Sequence, residues 1–199
     1  MDNLIFVHIP KCAGTSIGEA IYKDDNIGHA TVEDFIYTNK SKFIKYHKFA
    51  IIRNPLERCY SAYNFLKSKK CSVSDKKFSN KYLYKFNDFD DFVRNSLSNP
   101  NIQNFVLFKP QNDFISKNGL ILIDQIFSFR YLKENYLYLK KKFKVKSKLK
   151  VLKTTKNMKK TRITKVSSNI IKKVYKNDFI IYRKLIKKKY LSNLYGKKL

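Results

Sequence analysis

The sequence predicts an α/β fold with three layers, in which helices flank a central parallel β-sheet. Three apolar runs support this prediction, at residues 3–9, 48–53 and 124–129, because strands buried on both faces form continuous hydrophobic stretches. A segment with helical periodicity follows each run. Strands that alternate with helices in this way pack as a parallel sheet covered by helices.

Two helices carry clear start signals. Thr31 and Asp34 form a capping-box pattern, which predicts a short amphipathic helix over residues 32–37. Asn54 followed by Pro55 is typical of a helix start and predicts a helix over residues 56–67. Spacing alone predicts further helices at 15–22, 88–97, 102–108, 132–143 and, as a last helical region, 167–190.

The remaining segments are expected to be irregular. Residues 67–87 are polar and predict a surface excursion, and 144–166 predict loop with one candidate strand at 149–152. The tail from residue 191 onward is expected to fray.

Size and composition predict one folded domain. The chain has 199 residues, of which 43% are hydrophobic and 15% aromatic. This supplies enough apolar surface for a core and excludes a disordered protein. We expect a single domain over 1–199 that includes the basic segment 131–199.

The charge is strongly positive and unevenly distributed. Lys and Arg number 43 against 15 Asp and Glu, a net charge of +28. Residues 1–130 hold 19 basic and 13 acidic residues (+6), whereas 131–199 hold 24 and 2 (+22). Such a field attracts polyanions. Lysines outnumber arginines 37 to 6, so a compositional bias of the genome explains the excess equally well.

Cysteine usage and the N-terminus bear on the compartment. Three cysteines without CxxC spacing predict neither a disulfide framework nor a zinc site. The apolar run near Met1 is too short for a signal peptide or a membrane span. We therefore expect a cytoplasmic protein, and the basic segment leaves a peripheral membrane contact open.

The first chemical motif follows the first apolar run. It contains a lysine, three small residues and two hydroxyls, namely Lys11, Cys12, Ala13, Gly14, Thr15 and Ser16. Small residues let the backbone approach an anion, and a helix N-terminus supplies N–H donors. The pattern predicts a phosphate or sulfate cradle. It lacks the GxxxxGK[ST] order of a Walker A loop. Cys12 beside Lys11 would have a lowered pKa, although no nucleophilic role is assigned to it.

The second motif follows the second apolar run. Arg53 is expected at the carboxyl end of a strand, and Ser61 two turns into the next helix. Ligands of such sheets gather outside the carboxyl ends of the strands. Two anion sites on adjacent strand–helix units therefore predict a ligand with two separate phosphate groups.

Taken together, HIPKCAGTS and RNPLERCYSAY resemble the 5′-phosphosulfate loop and 3′-phosphate motif of carbohydrate sulfotransferases that use 3′-phosphoadenosine 5′-phosphosulfate (PAPS). The chain is most similar to the group containing the heparan sulfate 2-O and 6-O enzymes and small bacterial relatives, over about residues 4–185. The resemblance implies a P-loop-like fold, PAPS as co-substrate without a metal, and transfer to a hydroxyl of a glycan.

The resemblance also implies residue roles. Lys11, Gly14, Thr15 and Ser16 would hold the 5′-phosphosulfate, and Arg53 and Ser61 the 3′-phosphate. Lys11 would also neutralise charge on the leaving oxygen. His29 aligns with a histidine that acts as general base.

Histidine chemistry supports the same role. A pKa near 6.5 suits proton removal at neutral pH, so His29 is a candidate base, although a solvated turn residue is the alternative. His8 is expected to pack beside the site. Gln111 is a candidate sugar ligand, or simply part of a polar turn.

Two other functions remain open. A P-loop-like kinase or nucleoside triphosphatase is disfavoured because Asp124 precedes its strand rather than ending it. A polyanion-binding or nucleic-acid-binding protein with a P-loop-like nucleotide site is the main alternative. Within the sulfotransferase interpretation we expect a hydroxyl-bearing acceptor, acidic ones included, and no nucleic-acid partner.

Overall fold

The computed structural model describes residues 3–68, 71–150 and 163–198. Its central sheet has four strands, β1 (Leu4–Val7), β2 (His47–Ile52), β5 (Gln125–Ser128) and β6 (Tyr190–Ser192), in the order β1-β2-β5-β6. The first three run parallel, and β6 pairs antiparallel with β5. A small antiparallel hairpin joins β3 (Ser116–Lys117) to β4 (Leu120–Ile121).

Helices flank this sheet, which confirms the predicted α/β class. They are α1 (Gly14–Tyr22), α2 (Val32–Lys45), α3 (Pro55–Leu66), α4 (Val73–Tyr82), α5 (Phe89–Ser96), α6 (Pro100–Gln103), α7 (Asn112–Ile115), α8 (Leu132–Lys142), α9 (Lys165–Val174) and α10 (Lys176–Ile186), with a 3₁₀ turn at Phe129–Tyr131. The sheet is mostly parallel and P-loop-like, with β6 as its antiparallel edge.

The three apolar runs form the three parallel strands. In β2 every residue from 48 to 52 is buried, as expected for a central strand covered on both faces. Phe49 pairs in register with Phe6 on one side and Gln125 on the other.

The predicted start signals are confirmed. Thr31 and Asp34 make both hydrogen bonds of the capping box, and α2 continues past a non-helical Asn39 to Lys45. The Asn54 side chain accepts hydrogen bonds from two backbone amides of α3, with Pro55 as the first helical residue.

Four predictions on local structure need comment. Residues 67–87 are not only a surface excursion: they contain α4, which begins with a Ser72–Asp75 capping box within a polar segment. Only Pro100–Gln103 of the expected helix near 102–108 is helical, followed by turns. The tail forms β6 instead of fraying, because β5 offers it an unpaired edge. Of the candidate strand 149–152, residues 149 and 150 are irregular and the other two lie outside the described residues.

Two apolar clusters stabilise the fold. The larger one surrounds the sheet and includes side chains of α1, α2, α8 and α10. The second packs α3, α5 and α9 around Phe92 and Phe108. Val106 contacts both clusters, so they are continuous there. Within the part of the chain that the structure describes, no helix is long and apolar enough to cross a membrane.

Candidate active site

The first motif forms the turn between β1 and α1. Lys11 and Ala13 both adopt left-handed backbone conformations, with φ of 67° and 64°. Ala13 is the N-cap residue of α1 and supplies no side-chain hydrogen bond, and the first helical turn contains no acid. The N-terminal amides of Gly14, Thr15 and Ser16 therefore begin a helix that has no side-chain cap, and a helix start of this kind has the donors that an anion needs.

Gly14 is required by its neighbour His8. A Cβ at position 14 would overlap the imidazole ring of His8, so any other residue would displace that ring. The sequence argument assigned this glycine to close approach of the anion. The structure gives it a second reason, since the glycine makes room for the buried histidine.

His8 and His29 are locked together beside this turn. Nδ1 of His8 lies 2.7 Å from the Gly28 carbonyl oxygen, and Nδ1 of His29 lies 3.2 Å from the His8 carbonyl oxygen. Because a carbonyl only accepts hydrogen bonds, each Nδ1 must carry the proton. Their ring centroids are 4.2 Å apart. The bond to His8 therefore leaves Nε2 of His29 with its lone pair available.

Both histidines are neutral at physiological pH. Burial lowers the pKa of His8 to about 3, with a further contribution from His29. Burial also lowers the pKa of His29, and Lys11 acts in the same direction. A neutral imidazole with a free Nε2 is the form that can accept a proton.

The second motif lies next to the first because β1 and β2 are adjacent and parallel. The Lys11 ammonium lies 4.1 Å from the centre of the Phe65 ring on α3. Ser61 is one helical turn before Phe65, on the same face of that helix. The Lys11 ammonium and the Ser61 hydroxyl are thus brought to one region.

Arg53 is positioned by an aromatic ring and an acid. Its guanidinium carbon lies 4.7 Å from the centre of the Phe129 ring, and its Nε lies 3.4 Å from the Glu57 carboxylate. The Arg53 side chain is mostly buried, at 12% exposure. Stacking on Phe129 fixes the plane of the guanidinium. Phe129 was not among the predicted site residues.

The Gln111 side chain connects the two motifs through hydrogen bonds. Its Oε1 accepts a hydrogen bond from the Arg53 amide (3.0 Å) and one from the Cys12 thiol (3.4 Å), and its Nε2 donates to the Arg53 carbonyl (3.0 Å). The side chain thereby pairs with the Arg53 backbone much as a neighbouring strand would. Gln111 is fully buried. The prediction that it binds a sugar is therefore wrong.

A buried acid supports Gln111 in turn. The Asp178 carboxylate of α10 accepts hydrogen bonds from the backbone amides of Gln111 and Asn112, both at 2.8 Å. Burial raises the pKa of Asp178, while the nearby positive charge of Arg58 acts in the opposite direction. Arg58 is itself fully buried and donates to the carbonyls of Leu107 and Lys109. One network thus ties α3 and α10 to the segment before α7.

Cys12 departs from its expected chemistry. Its side chain is fully buried, and burial raises its pKa to about 11, although Arg58 and Arg53 act to lower it. Its backbone amide bonds to the Ile9 carbonyl at 3.3 Å. The expectation of a lowered pKa is therefore wrong, because desolvation outweighs the nearby cations.

The opposite edge of the sheet has a different character. Asp124 lies just before β5 and accepts hydrogen bonds from the Lys48 amide (2.7 Å) and the buried Lys48 ammonium (3.0 Å). This confirms that Asp124 stands at the amino end of its strand. It is paired there and remote in the sheet from the turn before α1.

The comparisons with known proteins agree with this geometry. The chain matches the model described as "Sulfotransferase family" over residues 1–194. The chain belongs to the sulfotransferase family. Searches of curated proteins and of solved structures returned no match. The family match carries no acceptor class, so the similarity to heparan sulfate enzymes stays a prediction.

Removing the Gln111 amide should destabilise this sulfotransferase. Gln111→Leu would remove the two hydrogen bonds that the Arg53 amide and carbonyl make to this side chain, at a cost of about 2–4 kcal/mol measured by urea unfolding. Gln125 provides a matched control, since it is equally buried and its side-chain amide, which lies beside His47, makes no hydrogen bond of normal geometry within the described residues. Gln125→Leu should be neutral or stabilising. Equal losses in both variants would contradict the role of Gln111.

The buried His8 should make stability fall in mild acid. The unfolded chain binds a proton at His8 below pH 6.5, whereas the folded protein stays neutral there until about pH 3. His8 alone should therefore cost about 2 kcal/mol of unfolding free energy between pH 7 and pH 5. His8→Asn keeps a donor near Nδ1 and cannot titrate. Urea unfolding at both pH values should show that the variant loses about 2 kcal/mol less unfolding free energy than the wild type between pH 7 and pH 5. An equal loss in both proteins would refute the assignment.

Proposed function

We propose that this sulfotransferase transfers the sulfuryl group of PAPS to a hydroxyl of a carbohydrate acceptor. One observation carries the proposal: the α1 N-terminus, which has no side-chain cap, and the Arg53 segment lie at the same edge of the sheet and are joined through Gln111. A donor with phosphate groups at both its 3′ and 5′ positions needs two anion sites at a fixed separation. A rigid link between the two motifs meets that need.

The residues at the two sites divide the donor between them. The amides and hydroxyls of Thr15 and Ser16 at the start of α1 would hold the non-bridging oxygens of the phosphosulfate. Lys11 would neutralise the charge that develops on the oxygen between sulfur and phosphorus. Arg53, stacked on Phe129, and Ser61 would hold the 3′-phosphate.

His29 would activate the acceptor. Its Nε2 takes the hydroxyl proton as the acceptor oxygen forms a bond to sulfur, and the bond from sulfur to the donor phosphate oxygen breaks. The products are a sulfate ester, a 3′,5′-bisphosphate nucleotide and an imidazolium. The His8 carbonyl, which receives the Nδ1 proton in a hydrogen bond, stabilises that imidazolium. Positioning and charge stabilisation supply the rate, as in phosphoryl transfer.

The basic C-terminal segment has a proposed part as well. Lysines at the C-terminal ends of α8 and α9 lie on exposed positions, for example Lys141 and Lys172. We propose that this surface binds the anionic material around the acceptor, either an acidic glycan matrix or an anionic membrane surface. We do not expect it to bind nucleic acid. Binding that weakens with salt would be common to all of these polyanions.

Alanine variants separate the two ends of the donor. Lys11→Ala should lower the transfer rate by roughly 100- to 1000-fold while leaving the fold intact. Arg53→Ala should weaken the binding of the 3′,5′-bisphosphate nucleotide by about 10- to 100-fold, measured by isothermal titration, because a charge-assisted hydrogen bond is lost. Lys133→Ala, an exposed lysine on α8, is the control and should change neither. Tighter binding of ATP than of the bisphosphate, or full activity in Lys11→Ala, would contradict the proposal.

The role of His29 has its own pH signature. Because burial lowers its pKa, the acidic limb of kcat/KM for the acceptor should lie below pH 6.5, with activity falling as His29 is protonated. His29→Asn keeps a donor toward the His8 carbonyl but removes the base. It should lose roughly 100- to 10,000-fold in kcat with unchanged nucleotide affinity. If His29→Asn retained the wild-type rate and the acidic limb of the pH profile, His29 would be excluded as the base.

A further inference from the structure

A polar cleft of about 500 Å³ lies between the start of α2 and the β3–β4 hairpin. Thr31 borders it on the α2 side, and Asn112 borders it at the start of α7. The hairpin turns through Asn118 and Gly119, both with positive φ, which gives the tight two-residue turn that closes the far wall. Its volume is in the range of small-molecule and sugar sites.

Both ends of this cleft are close along the chain to residues of the candidate active site. Thr31 is two residues after His29, so their Cα atoms are at most about 7.6 Å apart. Asn112 directly follows Gln111, whose side chain pairs with the backbone of Arg53. The cleft therefore borders the chain segments that carry His29 and Gln111.

The cleft is lined by more acidic than basic residues, whereas the chain as a whole is strongly basic. Three of the 15 acidic residues of the protein line it, Glu33, Asp34 and Asp113, but only two of its 43 basic ones, Lys109 and Lys117. The Lys117 ammonium is already 3.6 Å from the Glu33 carboxylate, across the cleft.

The remaining lining groups are of the kind that bind hydroxyls. Hydrogen bonds from Thr31 lower the pKa of Asp34, so this acid is ionised. Asn112 is 7% exposed, and its Oδ1 is buried and has no hydrogen-bond partner among the described residues. Carboxylate and amide oxygens accept hydrogen bonds from sugar hydroxyls, whereas they repel a carboxylated or sulfated sugar.

We infer that this cleft binds the acceptor and selects an uncharged, hydroxyl-rich sugar unit over a uronate or an already sulfated one. The inference rests on the proposed function and narrows its acceptor class. It assigns the basic C-terminal surface no part in choosing the reacting sugar. Acidic groups that line the cleft disfavour anionic sugars by like-charge repulsion.

Two oligosaccharides of equal length test the selection. N-acetylchitohexaose is uncharged, and a hyaluronan hexasaccharide carries a carboxylate on every second sugar. With the donor absent, isothermal titration to the whole protein should show N-acetylchitohexaose binding at least ~10-fold tighter. Backbone amide shifts should locate it at Thr31, Lys117 and Gly119. Tighter binding of hyaluronan, binding of neither sugar, or shifts confined to α8 and α9 would overturn the inference.

A charge-reversed pair sharpens the test. Asp113→Lys should move the preference toward hyaluronan by about 10-fold, whereas Glu134→Lys, the same change at an exposed position of α8, should not. An unchanged ratio in Asp113→Lys would overturn the inference. Because these titrations contain no donor, they do not depend on sulfuryl transfer. A wild-type protein that does not bind the 3′,5′-bisphosphate nucleotide would instead refute the proposed function.

Discussion

The pairing of the Gln111 side chain with the Arg53 backbone is the contact on which the geometry of the site depends. β2 ends at Ile52, and there the Arg53 amide and carbonyl lose their strand partners. Gln111 supplies both hydrogen bonds from a fully buried position and also receives the Cys12 thiol. The first turn and the second motif therefore have a common reference point, and a shift of one is transmitted to the other.

The histidine pair is a second constraint of the same kind. His8 occupies the space that the missing side chain of Gly14 leaves, and its carbonyl fixes the proton of His29 on Nδ1. One buried residue thus sets both the close packing of the turn before α1, through its ring, and the tautomer of the candidate base, through its carbonyl. Desolvation then keeps both rings neutral.

The sequence was informative wherever a local pattern determines structure. Apolar runs predicted the three parallel strands, and Thr31–Asp34 and Asn54–Pro55 predicted two helix starts, because caps act within one turn. The two motifs were predicted to meet because adjacent parallel strands end at one edge. The structural roles of Gln111, Asp178 and Phe129 could not be found in this way. Their partners lie 58, 67 and 76 positions away along the chain. The hydrogen bonds of Gln111 and Asp178 explain why these polar groups are tolerated in the core. β6 was missed for a similar reason, since an edge strand of three residues is defined by its neighbour.

The place of β6 has a consequence for how the chain reaches its native state. The outer hydrogen-bonding groups of β5 are covered only when β6, some sixty residues further along the chain, pairs with them. Until α9 and α10 have docked, a partly folded molecule presents a bare strand to other molecules, the usual starting point of aggregation. The lysine-rich C-terminal segment would then serve a second purpose during folding, since molecules bearing so much like charge repel one another while that strand is still open.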